Sequence, residues 1–250
     1  MGPVRRLVLS LGVAVSLIAA ATMVAVGAAG GFGAGPGSFA FTDTSASASF
    51  FNPADQSTQS VSVDRTLYLV GPGGKKGGAQ QMTVLSVFIY VPGTDPNLPP
   101  VLDASGCFVI PDSAFVVSKD LGQATLNVTV NENNACPEFL SPVSDGAPAK
   151  GGGPGGGGFT FPLTVTGSWT GTGVIGKSDN QGVFRCGGFV SSTHTSSRSQ
   201  FSAGMSVLIS GFGTFSGSPP DAFGFVSSTD NRFDVNGTGV LSPACGGKGG

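Results

Sequence analysis

The chain has 250 residues, a formal charge of −2, 40% hydrophobic residues and only 10% charged ones. Its polarity rests on Ser, Thr, Asn and Gly rather than on ions. So sparse and slightly acidic a charge excludes binding to nucleic acid or anionic membranes by bulk electrostatics. The length allows one substantial core or two small ones.

The first element is a secretory signal over residues 1–28. Arg5 and Arg6 precede an uncharged apolar run from Leu7 to Val26, and small residues follow from Gly27 to Gly31, which are the three parts of such a signal. Val26-Gly27-Ala28 fits small-x-small cleavage, which leaves 10 basic against 14 acidic residues and a formal charge of −4. An apolar run of roughly 20 residues also suffices for an uncleaved membrane anchor. The expected location is therefore secreted or extracellular, and membrane-tethered if the signal stays. Residues 29–38 read as a flexible Gly-rich segment.

Period-two alternation of apolar residues, the mark of strands with one buried face, runs through the rest. It appears at Val61, Val63, Leu67 and Leu69, then at Ala124, Leu126, Val128 and Val130. Met82–Val91 is apolar on both parities and reads as a central strand covered on both faces. Phe159, Phe161, Leu163, Val165, Gly167 and Trp169 share one parity, as do Phe201, Ala203, Met205, Val207 and Ile209; Phe233 and Val235 close the series. Turns are expected at Gly71–Gly74, Asn131–Asn134, Ser178–Gly182 and Ser227–Asn231. The Gly/Pro-rich stretch 141–158 reads as a flexible loop and 246–250 as a Gly-rich tail.

No segment has sustained helical spacing, so the fold class expected is all-β. Each half of the chain needs cover for its dry faces and neither has helices to supply it. The pattern therefore predicts one antiparallel β-sandwich, Ig-like or jelly-roll-like, over residues 39–245, with two small domains as the alternative. Paired cysteines and few Tyr and Trp count against an outer-membrane barrel.

Cys107, Cys136, Cys186 and Cys245 form an even set in a chain read as exported, which predicts two disulfides. Pairing Cys107 with Cys136 and Cys186 with Cys245 closes a loop in each half, each contributing roughly 3.5 to 4.5 kcal/mol. No C-x-x-C spacing favours zinc.

Candidate sites are few. His194 is the single histidine, sits in a polar Ser/Thr run, and has no G-x-S-x-G elbow to serve. Glu132 and Glu138 are the only glutamates; with Asp43, Asp64, Asp103, Asp112 and Asp120 they are the carboxylates from which an acid–base pair could be drawn. Asp230, Asp234 and Asn236 offer oxygen ligands for calcium without EF-hand spacing. The Gly-rich segments match no phosphate-binding fingerprint. Tyr68, Tyr90 and Trp169 are the aromatic residues to consider for glycan stacking, Trp169 having the parity of a core anchor. Asn127-Val128-Thr129 and Asn236-Gly237-Thr238 are glycosylation acceptor patterns.

These observations predict a secreted or cell-surface protein with a structural, adhesive or ligand-binding role, no evident catalysis, no cofactor, and a glycan or surface protein as partner. The alternative is a glycan-active hydrolase using two carboxylates. Acidic side chains gathered beside exposed aromatic rings would favour it.

Overall fold

A computed structural model describes residues 37–70, 80–93, 100, 102–136, 158–186 and 189–236. The signal segment 1–28, the stretch 141–157 and the tail lie outside them. The strands are β1 Gly37–Phe51, β2 Thr58–Val70, β3 Gln80–Val91, β4 Leu102–Ile110, β5 Phe115–Val117, β6 Gln123–Val130, β7 Leu163–Gly171, β8 Gly176–Cys186, β9 Phe189–Ile209, β10 Gly213–Gly217 and β11 Ala222–Asn236.

These strands are all antiparallel and form one sheet in the order β4-β3-β2-β1-β11-β9-β7-β6-β5, with β8 and β10 also paired to β9. The sheet curls into an open half-barrel, which corrects the expectation of an Ig-like or jelly-roll-like sandwich. Alternation establishes that each strand has a dry face, but that face can be covered by a second sheet or by the far end of the same one. Here the two halves of one sheet face each other across a shared core. Val61 and Val63 of β2, Leu85, Val87 and Ile89 of β3, Leu126 and Val130 of β6, and Val165 and Trp169 of β7 join one core cluster.

Trp169 is 1% exposed and spans this interior. Its Nε1–H donates to the Ser47 carbonyl at 2.8 Å, tying β7 to β1 across the half-barrel. A Cβ on Gly167 would lie 2.7 Å from its ring, so glycine makes room for the indole. Phe108 of β4 meets Phe159 and Phe161 edge-on at 6.3 and 5.9 Å, filling the seam where the sheet stays open.

The predicted alternation of β9 is corrected in its middle. Met205, Val207 and Ile209 are buried, but so are Gln200 and Ser202, whereas Phe201 is 59% exposed. A register shift opposite Thr170/Gly171 adds one residue to β9 and inverts its parity. Phe201 therefore stands on the outer face. Two predicted turns also belong to strands: Ser178–Gly182 lies within β8 and Ser227–Asn231 within β11. Both pair along their length with the Ser/Thr-rich first half of β9, so polar residues that suggest loops sit here on a sheet with two polar faces. Met82–Val91 is covered on one face only; Thr83, Leu85, Val87 and Ile89 are buried, and Val84, Phe88 and Tyr90 are half-buried.

Cys107 and Cys136 are disulfide-bonded, with Cα atoms 5.3 Å apart. The other expected pair, Cys186 with Cys245, falls outside the described side chains.

Candidate functional site

β1 and β2 carry their apolar residues inward, Ala46 opposite Val63 and Ala48 opposite Val61, so the alternate positions form the outer face. There Asp43 lies opposite Thr66 and Ser45 opposite Asp64. The two aspartates are thus diagonal neighbours across one strand pair, a separation of roughly 7 to 8 Å at the backbone.

Their surroundings are drier than an outer face suggests. Phe41 and Thr66, which flank Asp43, are 7% and 4% exposed. The Thr66 hydroxyl donates to Asp43 Oδ1 at 2.7 Å. Burial raises the Asp43 carboxyl above the usual range, and the Thr66 hydrogen bond partly offsets that rise. Asp64 is pushed up to about 7, first by burial and then by the negative charge of Asp43. Two like carboxyls are therefore driven apart in acidity, Asp64 holding its proton and Asp43 losing its own first.

Hydroxyls surround the pair. Ser45 and Ser227 share a hydrogen bond at 2.7 Å, and Ser47, Ser62 and Ser86 form the next row across β1, β2 and β3. Beyond them Phe201 and Phe223 meet at 5.5 Å, 59% and 42% exposed, with Phe225 paired between Phe201 and Ser47. Phe88 and Tyr90 stack at 6.4 Å on the same face. The outer face here carries two half-buried carboxyls, a bed of hydroxyls and a rim of rings.

The other sequence candidates are dispersed. His194 pairs with Asp179 at 2.8 Å, both exposed, at the β8–β9 edge. Glu132 sits in a 3-10 turn and Glu138 outside the described residues. Asp112 accepts the Thr83 hydroxyl at 2.6 Å, Asp120 caps a turn through the Gly122 N–H at 3.0 Å, and the side chain of Asp103 is not described. Asp230 accepts the Thr42 hydroxyl at 2.7 Å within an extended strand rather than a calcium-wrapping loop, and the side chains of Asp234 and Asn236 lie outside the described set. Among the described residues no three His, Cys, Asp or Glu side chains gather. Trp169 is buried, Tyr90 is half-buried, and Tyr68 lies outside the described side chains. Asp43 and Asp64 were legible as carboxylates but not as a pair. The signal that could have joined them is that both take the polar parity of strands whose other parity is apolar.

No protein-family model and no curated protein matches the chain. Solved structures similar to it include the enduracididine biosynthesis enzyme MppR complexed with pyruvate, at 8% identity and TM-score 0.32 over 82% of this chain and 91% of that one. An acetoacetate decarboxylase-like enzyme from Sphingomonas wittichii RW1 is similar at 10% identity and TM-score 0.26, over 80% and 93%. The expectation of a structural, adhesive or ligand-binding β-sandwich is corrected by the fold itself, since the chain forms a single curled sheet and not a sandwich. The secreted or extracellular location is not carried further, because residues 1–28, which suggested it, lie outside the described set. Likeness at these scores assigns no particular activity to this chain.

Proposed function

We propose that the protein is a glycan-active hydrolase in which Asp64 serves as general acid and Asp43 as general base. The observation that carries this reading is the side-by-side pair itself, with Asp64 pushed up to about 7 by burial and by Asp43. Near neutral pH one carboxyl still holds a proton while the other is ionised, which is the division of labour that glycosidic cleavage needs. Asp64 gives its proton to the glycosidic oxygen as the bond from C1 to that oxygen breaks. Asp43 takes a proton from a water whose oxygen forms the new bond to C1.

The pair are diagonal neighbours on one face of β1 and β2, close enough for the charge of Asp43 to act on Asp64. The serine rows supply donors and acceptors for sugar hydroxyls, and the Phe201–Phe223 rings supply apolar faces for sugar C–H edges.

The test is release of reducing ends from a panel of glucans, xylan, chitin and peptidoglycan by the full chain. Asp64→Asn and Asp43→Asn are expected to lower kcat by about 10²- to 10⁴-fold. Absence of hydrolysis across the panel, or an Asp64→Asn variant as active as the parent, overturns the proposal.

A further inference from the structure

The inner face carries a different chemistry where the apolar core ends. One row of directly paired residues crosses four strands: Arg65 of β2 faces Thr44 of β1, Thr44 faces Ser228 of β11, and Ser228 faces Arg198 of β9. Over this row folds the β5–β6 turn, whose Ser118 and Lys119 close a cavity of about 150 Å3. Such a space holds several waters' worth of volume.

The turn is fixed in place. Gln200, 3% exposed, donates from Nε2 to the Asp120 carbonyl at 3.1 Å, and the Gly171 N–H donates to the Gly122 carbonyl at 2.8 Å. Leu121, 2% exposed, anchors it to the core with a φ of 59°.

Arg65 is the best-held cation of the cavity. Its guanidinium lies 5.1 Å from the centre of the Phe115 ring, and its Nη2 donates to the carbonyls of Phe115 and Asp112. Its Nε is buried and has no hydrogen-bond partner. Among the described residues none of Arg65, Lys119 and Arg198 has a carboxylate within ion-pair distance. Three cations thus line one small cavity with three hydroxyls and, among the described residues, no carboxylate paired to them. Arg65 is half-buried with its Nε unpartnered, whereas Lys119 and Arg198 are exposed; like charges gathered round one opening favour an anion between them.

We infer that this cavity is a binding site for a small oxyanion, a phosphate or a carboxylate, held by Arg65, Arg198 and Lys119 with hydroxyls from Thr44, Ser118 and Ser228. The guanidinium fork matches the geometry of either oxyanion, and charge-assisted hydrogen bonds supply the affinity. The site opens on the face opposite Asp43 and Asp64, so it stands or falls independently of the hydrolase reading.

Calorimetric titration of the full chain with inorganic phosphate and, separately, with malonate tests it, with chloride at matched ionic strength as the reference. Saturable binding of one oxyanion and not of chloride is expected, and which of the two binds more tightly identifies the ligand class. Arg198→Gln and Lys119→Gln, both away from the packed core, should each weaken binding about ten- to a hundredfold, while melting temperatures without anion stay level or rise as like charges are removed. Binding no better than chloride, or undiminished in both variants, overturns the inference.

Discussion

Asp64 and Arg65 are consecutive in β2 and stand on opposite faces of the sheet, each among charges of its own sign. The carboxyl faces Asp43 on the outside, and the guanidinium shares the inner cavity with Lys119 and Arg198. The two-residue period of a strand prevents neighbours from pairing with each other. A single peptide unit thus separates an acid–base centre from an anion site.

The raised pKa of Asp64 makes stability depend on pH with a definite sign. A carboxyl near 3.9 in the unfolded chain and about 7 in the folded one binds its proton more tightly when folded. Its favourable contribution is complete below about pH 4 and is lost as pH rises toward 7. Asp64→Asn should therefore match the parent near pH 4 and exceed it at pH 7 to 8 by about 1 to 2 kcal/mol, a value discounted for partial solvation of the carboxyl. Urea denaturation across that range measures it. A variant less stable than the parent at pH 8 contradicts the assignment.

The same pair sets the pH profile and the stereochemistry of the proposed reaction. Activity should fall as pH rises through about 7, where Asp64 loses the proton it must donate, and fall again in acid as Asp43 becomes protonated. Direct attack by a water that Asp43 deprotonates, with no covalent intermediate, entails inversion at the anomeric carbon, which proton NMR of the first product formed would read directly.

Gly224 of β11 packs where β1 and β9 converge. A methyl group there would collide with the Met205 sulfur and with the Ser47 carbonyl, the same carbonyl that accepts the Trp169 indole N–H. The sulfur can swing aside but the backbone cannot. Gly224→Ala should cost about 1 to 3 kcal/mol and shift Trp169 fluorescence, whereas Gly204→Ala, with nothing near its Cβ position, should cost far less.

The Phe201–Phe223 pair is exposed and contributes little to the core, so Phe201→Ser should change stability by no more than about 0.5 kcal/mol. If these rings hold sugar faces, the variant should raise KM on the polysaccharide substrate and leave kcat nearly unchanged. Steady-state kinetics separate the two effects.

The disulfide joins cysteines 29 residues apart, so Cys107→Ala with Cys136→Ala should cost roughly 3 to 4 kcal/mol. Thermal unfolding of the double variant beside the parent measures this.

The strands were legible where one face is dry: β6 and β7 alternate without interruption, and Leu126, Val128, Leu163 and Val165 are buried as their parity dictates. Curvature was not, because the cover for a dry face leaves no mark on the strand that needs it. The inserted residue in β9 escaped for a related reason. Phe201 and Ala203 continue the apolar parity of Met205 in the sequence, and only pairing with β7 shows that the phase has changed. Strands wet on both faces, such as β8, lack the alternation that identifies a strand at all. The candidate site was hidden because Asp43 and Asp64 meet only through strand register.

An incompletely closed sheet carries a risk of recruiting a second copy along its free rim. Part of the β4 rim is covered: Ala135 bridges to Phe108, the Cys136 N–H donates to the Cys107 carbonyl at 2.9 Å, and the sulfur bond holds the segment there. At β8 exposed Lys177 and Asp179 discourage a neighbour instead. Reduction would loosen the segment that covers Cys107 and Phe108 and extend the stretch of β4 open to pairing with another strand.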